Sequence, residues 1–109
     1  MDDFTRVYLA GTLTADPQSR AGAEGDVAEF KLEVEDGEEK RLEWVRAEGV
    51  VARFVAEGGF KAGDQVLVHG VLGTRATKDR TGRERREFFT LAQRLAHDES
   101  AAWRTAHGA

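Results

Sequence analysis

With 109 residues, no cysteine and a formal net charge of −4, the chain is sized for one domain around one modest core. The lack of thiols excludes disulfides, thiolate metal centres and cysteine catalysis, and 40% hydrophobic residues beside 33% charged ones exclude a disordered polyelectrolyte. No apolar run approaches the roughly 20 residues a bilayer span needs, and the acidic start Met1-Asp2-Asp3-Phe4 is unlike a secretory signal, so a soluble cytoplasmic domain is expected.

Thr5 to Thr14 reads as a first strand, with Gly11 as an internal bend. Asp16-Pro17 breaks the pattern, and Ala21 to Asp26 reads as a glycine-containing loop. Val27 to Glu35 alternates cleanly: Ala28, Phe30, Leu32 and Val34 on one side, Glu29, Lys31, Glu33 and Glu35 on the other. One face is therefore buried and one wet. Asp36-Gly37 signals a turn, and Glu38-Glu39-Lys40 extends it beyond two residues. Arg41 to Glu48 returns with Val45 and Ala47 inward and Leu42, Trp44, Arg46 and Glu48 outward. An outward tryptophan exposes apolar area and calls for a reason.

The period then changes. Val50, Val51, Phe54 and Val55 fall at helical spacing, and Gly58-Gly59 ends a short helix that plugs one end of the sheet. Gln65 to Thr74 is the fourth strand, with Val66, Val68 and Leu72 inward and Gly70 as a second bend. Glu84 to Leu95 is the last, and its Phe88-Phe89 pair puts one ring on each face. Residues 1–97 form the domain, and 98–109 a short tail without strong pattern. Three strands, one short helix and two more strands give an all-β fold: the five-stranded Greek-key barrel called the OB-fold.

Between the last two strands lies the strongest charge asymmetry. From Thr74 to Arg86 six cations (Arg75, Lys78, Arg80, Arg83, Arg85, Arg86) face only Asp79 and Glu84, a local +4 that leaves −8 for the remainder. A cationic hairpin on an anionic body is suited to hold a polyanion; a merely solvated hairpin tip is the plainer alternative. His69, His97 and His107 lie in separate elements without metal-ligand spacing, His69 on the outer side of its strand. The run Glu33, Glu35, Asp36, Glu38, Glu39 is a solvated face, and no nucleophile or phosphate-loop motif occurs, so neither catalysis nor a cofactor is expected.

Val7-Tyr8-Leu9-Ala10-Gly11-Thr12-Leu13, Asp16-Pro17 with Arg20, Val27-Ala28-Glu29-Phe30, Glu43-Trp44-Val45-Arg46, Lys61-Ala62-Gly63-Asp64-Gln65-Val66 with Gly70, Leu72 and Thr74-Arg75, and Asp79 to Arg85 resemble, in order and over residues 4 to 95, the bacterial single-stranded-DNA-binding proteins. The resemblance implies a sequence-tolerant grip on single-stranded DNA in replication, recombination or repair. Trp44 would then be the stacking face, and Arg46, Arg75, Lys78, Arg80, Arg83, Arg85 and Arg86 the phosphate contacts. It also implies a homo-oligomer, dimer or tetramer, to which Tyr8, Leu67, Val71 and Phe88 or Phe89 would lend outward apolar contacts.

The chain departs from that family in its aromatics and its tail. The loop Asp36 to Arg41 carries no second tryptophan, Thr77 stands near another tryptophan position, and Gly49-Val50 replace the aromatic before the helix. Fewer stacking faces imply weaker binding, a shorter footprint, or more reliance on the basic hairpin. Ser100 to Ala109 lacks the long glycine-rich segment and acidic tip that recruit replication and repair proteins, and Trp103 is expected to pack on the barrel. Two other readings follow from these losses: an adaptor similar to primosomal replication protein N, or a protein-interaction barrel that holds DNA weakly or not at all.

Overall fold

In the computed structural model, which describes residues 5–22 and 25–99, the chain runs β1 (Arg6–Leu13), β2 (Gln18–Gly22), β3 (Gly25–Asp36), β4 (Glu39–Glu48), α1 (Val50–Glu57), β5 (Gln65–Lys78) and β6 (Glu84–His97). The strands are ordered β1-β5-β6-β4-β3-β2, and a further β1–β3 pairing closes five of them into a ring. Two short contacts make the closure: Thr12–Leu13 against Leu32–Glu33, antiparallel, and Val45–Arg46 against Thr90–Leu91, parallel. This is the OB barrel that the strand order predicts. Among the described residues no helix is long and apolar enough to cross a membrane.

Alternation fills the ring. Ala28, Phe30, Leu32 and Val34 of β3 are buried, as are Val45 and Ala47 of β4 and Val66 and Val68 of β5. Each Val, Leu or Phe side chain fully removed from water stabilises by about 1.5–3 kcal/mol. Two glycines permit the curvature. A Cβ on Gly11, where β1 turns from β5 to β3, would stand 2.7 Å from the Glu33 carbonyl oxygen. One on Gly70, beside the register shift at His69/Gly70, would strike the Leu91 carbonyl oxygen.

Four details differ from the sequence reading. The segment read as a break and loop holds β2, which pairs Gln18–Gly22 with Gly25–Glu29; β1 and β2 thus take successive stretches of one edge of β3. The turn after β3 has two residues, because Asp36 already pairs with Glu39. Gly37 alone supplies the positive φ of 68° that a primed hairpin turn requires.

Third, α1 buries Ala52 and Val55, with Val51 packed against the core, while Val50 and Phe54 are exposed; the inward stripe is rotated from the one expected. Fourth, Val71, expected outward, is buried outside the main core cluster, whereas Leu72, expected inward, is exposed. β1 ends beside this point, its last rung being Arg6 with Val71. Val71 therefore lies between Arg6 and Leu91, and Leu72 faces solvent at the barrel rim.

The helix-to-β5 connection is latched to the β1–β2 connection and to the end of β6. Asp16 Oδ1 accepts from the Ala62 amide at 2.8 Å, and Asp64 Oδ2 accepts from the Lys61 amide at 3.0 Å. The same Asp64 oxygen lies 3.1 Å from His97 Nε2, and the His97 ring stacks on Phe60 at 4.2 Å. The Lys61 amide first, and His97 after it, hold the Asp64 carboxyl below its ordinary 3.8.

A folded-state value below the unfolded one gives stability that is complete above the unfolded pKa and lost as pH falls through the folded one. Urea midpoints measured between about pH 5 and pH 2 are expected to fall for the wild type by more than for Asp64→Asn. Equal falls would remove Asp64 from the acid response. Gly70→Ala is expected to cost about 2–3 kcal/mol, since backbone of β6 must move to admit the methyl; an unchanged midpoint would show that the bulge absorbs it.

Candidate nucleic-acid interface

The pleat that buries Val45 and Ala47 leaves Trp44 outward and 41% exposed. Its cross-strand partner is Lys31, whose Nζ stands 4.5 Å over the indole centroid. A cation at that distance is attracted by about 0.5–1 kcal/mol on an exposed ring, so Lys31 steadies the indole. Leu42, two residues back on the same face, is exposed. Between this ring and the β1–β2 connection lies a cleft of about 270 Å³, lined by Thr14, Asp16, Gln18, Glu29, Lys31 and Trp44 among others.

Strand parity carries the same outer face onto the long hairpin. Arg46 pairs with Leu91, and two residues on, Phe89 pairs with Gly73. The Phe89 ring lies across Gly73, where an added Cβ would meet ring carbons at 2.6 Å; it is a half-buried aromatic on the Trp44 side. Phe88, on the opposite side, is 61% exposed, so the pair does divide between faces.

The sequence-identified cations separate into three groups. Arg46 and Arg75 join the Trp44 face, bridged by a glutamate. Arg46 Nη1 donates to Glu29 Oε1 at 3.2 Å, and Arg75 Nη1 lies 3.9 Å from the same oxygen. Arg85 follows on this side by parity, paired with Thr77. Lys78 and Arg86 fall on the reverse of the ribbon, where Arg86 Nη1 donates to Thr74 Oγ1 at 3.0 Å. Arg80 and Arg83 occupy the tip.

That tip is built by Asp79, whose Oδ1 accepts from the Thr81 hydroxyl at 2.6 Å, the Thr81 amide at 2.9 Å and the Arg83 amide at 3.0 Å. The Thr81 hydroxyl first, then the two amides, lowers the Asp79 pKa. Asp79 thus organises the turn on which Arg80 and Arg83 stand.

Three members of this face were not singled out from sequence as site residues. Lys31 and Glu29 follow from register alone: a two-residue turn at 37–38 sets Lys31 against Trp44 and Glu29 against Arg46. Phe89 required knowing that Gly73 lies beneath it. His69 stacks on Tyr8 at 4.5 Å, away from this face, and among the described residues no group of His, Asp and Glu is arranged to hold a metal ion. Trp103 lies outside the described residues.

The likeness to known proteins agrees with this geometry. No curated protein matches the chain by sequence. A crystal structure of the small single-stranded DNA-binding protein from Streptomyces coelicolor superposes with a TM-score of 0.76 at 25% identity, covering 92% of this chain and 99% of that one. The sequence profile of the single-strand binding protein family matches residues 4–97, the whole of the barrel just described, and the chain belongs to that family.

Proposed function

We propose that the protein is a non-enzymatic binder of single-stranded DNA, tolerant of sequence, that serves replication, recombination or repair in the cytoplasm. Bases stack on Trp44, with Phe89 as a second apolar surface, and phosphates lie against Arg46, Arg75 and Arg85 on the same side, while the tip cations Arg80 and Arg83 extend the track. Lys78 and Arg86, on the reverse, add long-range attraction rather than direct contact. The observation that carries this reading is the exposed indole beside Lys31, Arg46 and Arg75 on one continuous sheet face. Family membership and the Streptomyces coelicolor likeness support it.

A second reading, an adaptor that holds DNA weakly, has its own support in the pairing of Arg46 and Arg75 with carboxylates. The two separate in a titration. In a Trp103→Phe background, where Trp44 is the only indole, oligo-dT is expected to quench the fluorescence at low salt and progressively less as salt rises. By anisotropy of labelled oligo-dT, Trp44→Ala should weaken binding by about 1–3 kcal/mol, and Arg75→Gln should flatten the salt slope by up to about 0.7. Absence of quenching at low salt would favour the adaptor.

The protein is further proposed to work as a homo-oligomer through the β1 face. Among the described residues, β1 pairs only with β5 from Arg6 to Gly11, which leaves its other edge without a ladder partner there, and Tyr8 and Leu67 beside it are 72% and 44% exposed. A hollow of about 400 Å³ lies between them and Arg94. A second copy offers both the missing ladder partner and the apolar cover. Light scattering should give a dimer or tetramer mass for the wild type and a monomer mass for Tyr8→Glu; a monomeric wild type at micromolar concentration would refute this assembly.

A further inference from the structure

Glu29 occupies the middle of the cationic side of the Trp44 face. Its Oε1 lies 3.2 Å from Arg46 Nη1, 3.5 Å from Arg20 Nη2 and 3.9 Å from Arg75 Nη1. Its side chain is 19% exposed and that of Arg46 27%, so this is a partly buried carboxylate at which guanidiniums from β2, β4 and β5 converge. The remaining charge is matched as well: Arg46 Nε donates to Glu48 at 2.9 Å and Arg75 Nε to Glu87 at 3.2 Å. Three cations thus meet three carboxylates, and before any ligand arrives this part of the face carries no net charge.

We propose that Glu29 stands in for a phosphate, so that single-stranded DNA must compete with it for the guanidiniums of Arg20, Arg46 and Arg75. The inference rests on the DNA-binding reading above and adds a residue that limits affinity. A carboxylate and a phosphate ester oxygen accept the same charge-assisted bonds from arginine. An incoming phosphate that engages Arg46 and Arg75 is brought beside Glu29 and is repelled by it. A guanidinium that leaves a carboxylate for a phosphate also frees an anion, which gathers a counterion from solution. Fewer cations are then released on binding than the number of contacting arginines would suggest, and the salt dependence is shallower. The face keeps its arginines extended and ordered while moderating their grip.

The opposite role is a clear competitor. If Glu29 chiefly positions the arginines, its loss scatters them and binding weakens. Glu29→Gln decides between the two, because it keeps the shape and one acceptor oxygen while removing the charge. Glu57→Gln, on α1 and off the sheet face, changes the net charge equally and serves as the control.

Labelled oligo-dT anisotropy across a salt series should show Glu29→Gln binding on the order of tenfold more tightly than Glu57→Gln at low salt, with a salt slope steeper by a few tenths. Glu48→Gln and Glu87→Gln, each freeing one guanidinium from one carboxylate, should give smaller gains. Urea midpoints of all four variants confirm that folded protein is compared. A Glu29→Gln affinity equal to that of Glu57→Gln, or below the wild type, overturns the proposal while leaving DNA binding intact. Failure of both wild type and Glu29→Gln to bind at low salt overturns DNA binding itself and this inference with it. Binding by Glu29→Gln where the wild type shows none supports it in its strongest form.

Discussion

Two short pairings, Thr12–Leu13 on Leu32–Glu33 and Val45–Arg46 on Thr90–Leu91, turn a sheet into a ring, and the rest of the molecule depends on them. Closure gives each of the five ring strands, within the barrel, one dry side and one wet side. It therefore determines that Phe30, Leu32 and Val45 face each other while Lys31, Trp44 and Arg46 share the outside. The parallel contact matters most for the site, since it brings β6, and with it the β5–β6 ribbon, beside β4. Without that contact, Arg46 and Arg75 would belong to separate surfaces. The glycines at 11 and 70 are the conditions of closure, because at each a methyl group would strike a neighbouring strand's carbonyl.

On the outer face, charge is arranged in opposed pairs rather than as a uniform positive field. Arg20, Arg46 and Arg75 converge on Glu29, and Glu48 and Glu87 take up the remaining guanidinium edges. The more exposed of these, Arg46–Glu48 and Arg75–Glu87, add little to folding, typically under about 1 kcal/mol each. What they do is hold long side chains in extended positions, which lowers the entropy lost when a ligand immobilises them. Among the described residues, the hairpin cations outside these ion pairs, Lys78, Arg80, Arg83, Arg85 and Arg86, lie farther out, toward the tip that Asp79 organises. Unpaired positive charge thus lies toward the end of the ribbon, and the paired arginines lie near Trp44.

Much of this was legible in the residues. The alternation from Val27 to Glu35 and from Arg41 to Glu48 gives both faces correctly, including the outward indole, and the two bending glycines lie where the ladder demands them. What escaped was governed by neighbours rather than by local pattern. β2 is short, polar and exposed along its length, so it carries no periodicity and exists because β3 offers an edge. The stripe on α1 was misjudged because four apolar residues at helical spacing permit more than one inward face, and the barrel end selects it. Val71 and Leu72 exchanged exposure because the barrel stops there, a fact of three dimensions. The charge excess of the hairpin was plain in the sequence, yet its division between two sides and a tip follows from the β5–β6 register.

Among the described residues, β5 beyond Leu72 has no ladder neighbour except β6, and the ribbon leaves the barrel as two strands whose outer edges pair with none of them. Such an edge invites another molecule to add a strand, which is how soluble β-proteins begin to clump. Here two ribbons approaching edge to edge would bring Lys78 and Arg80 of each against the like charges of the other. The arginine-rich composition therefore also acts as a guard for solubility, allowing a long unshielded arm to persist in a crowded solution.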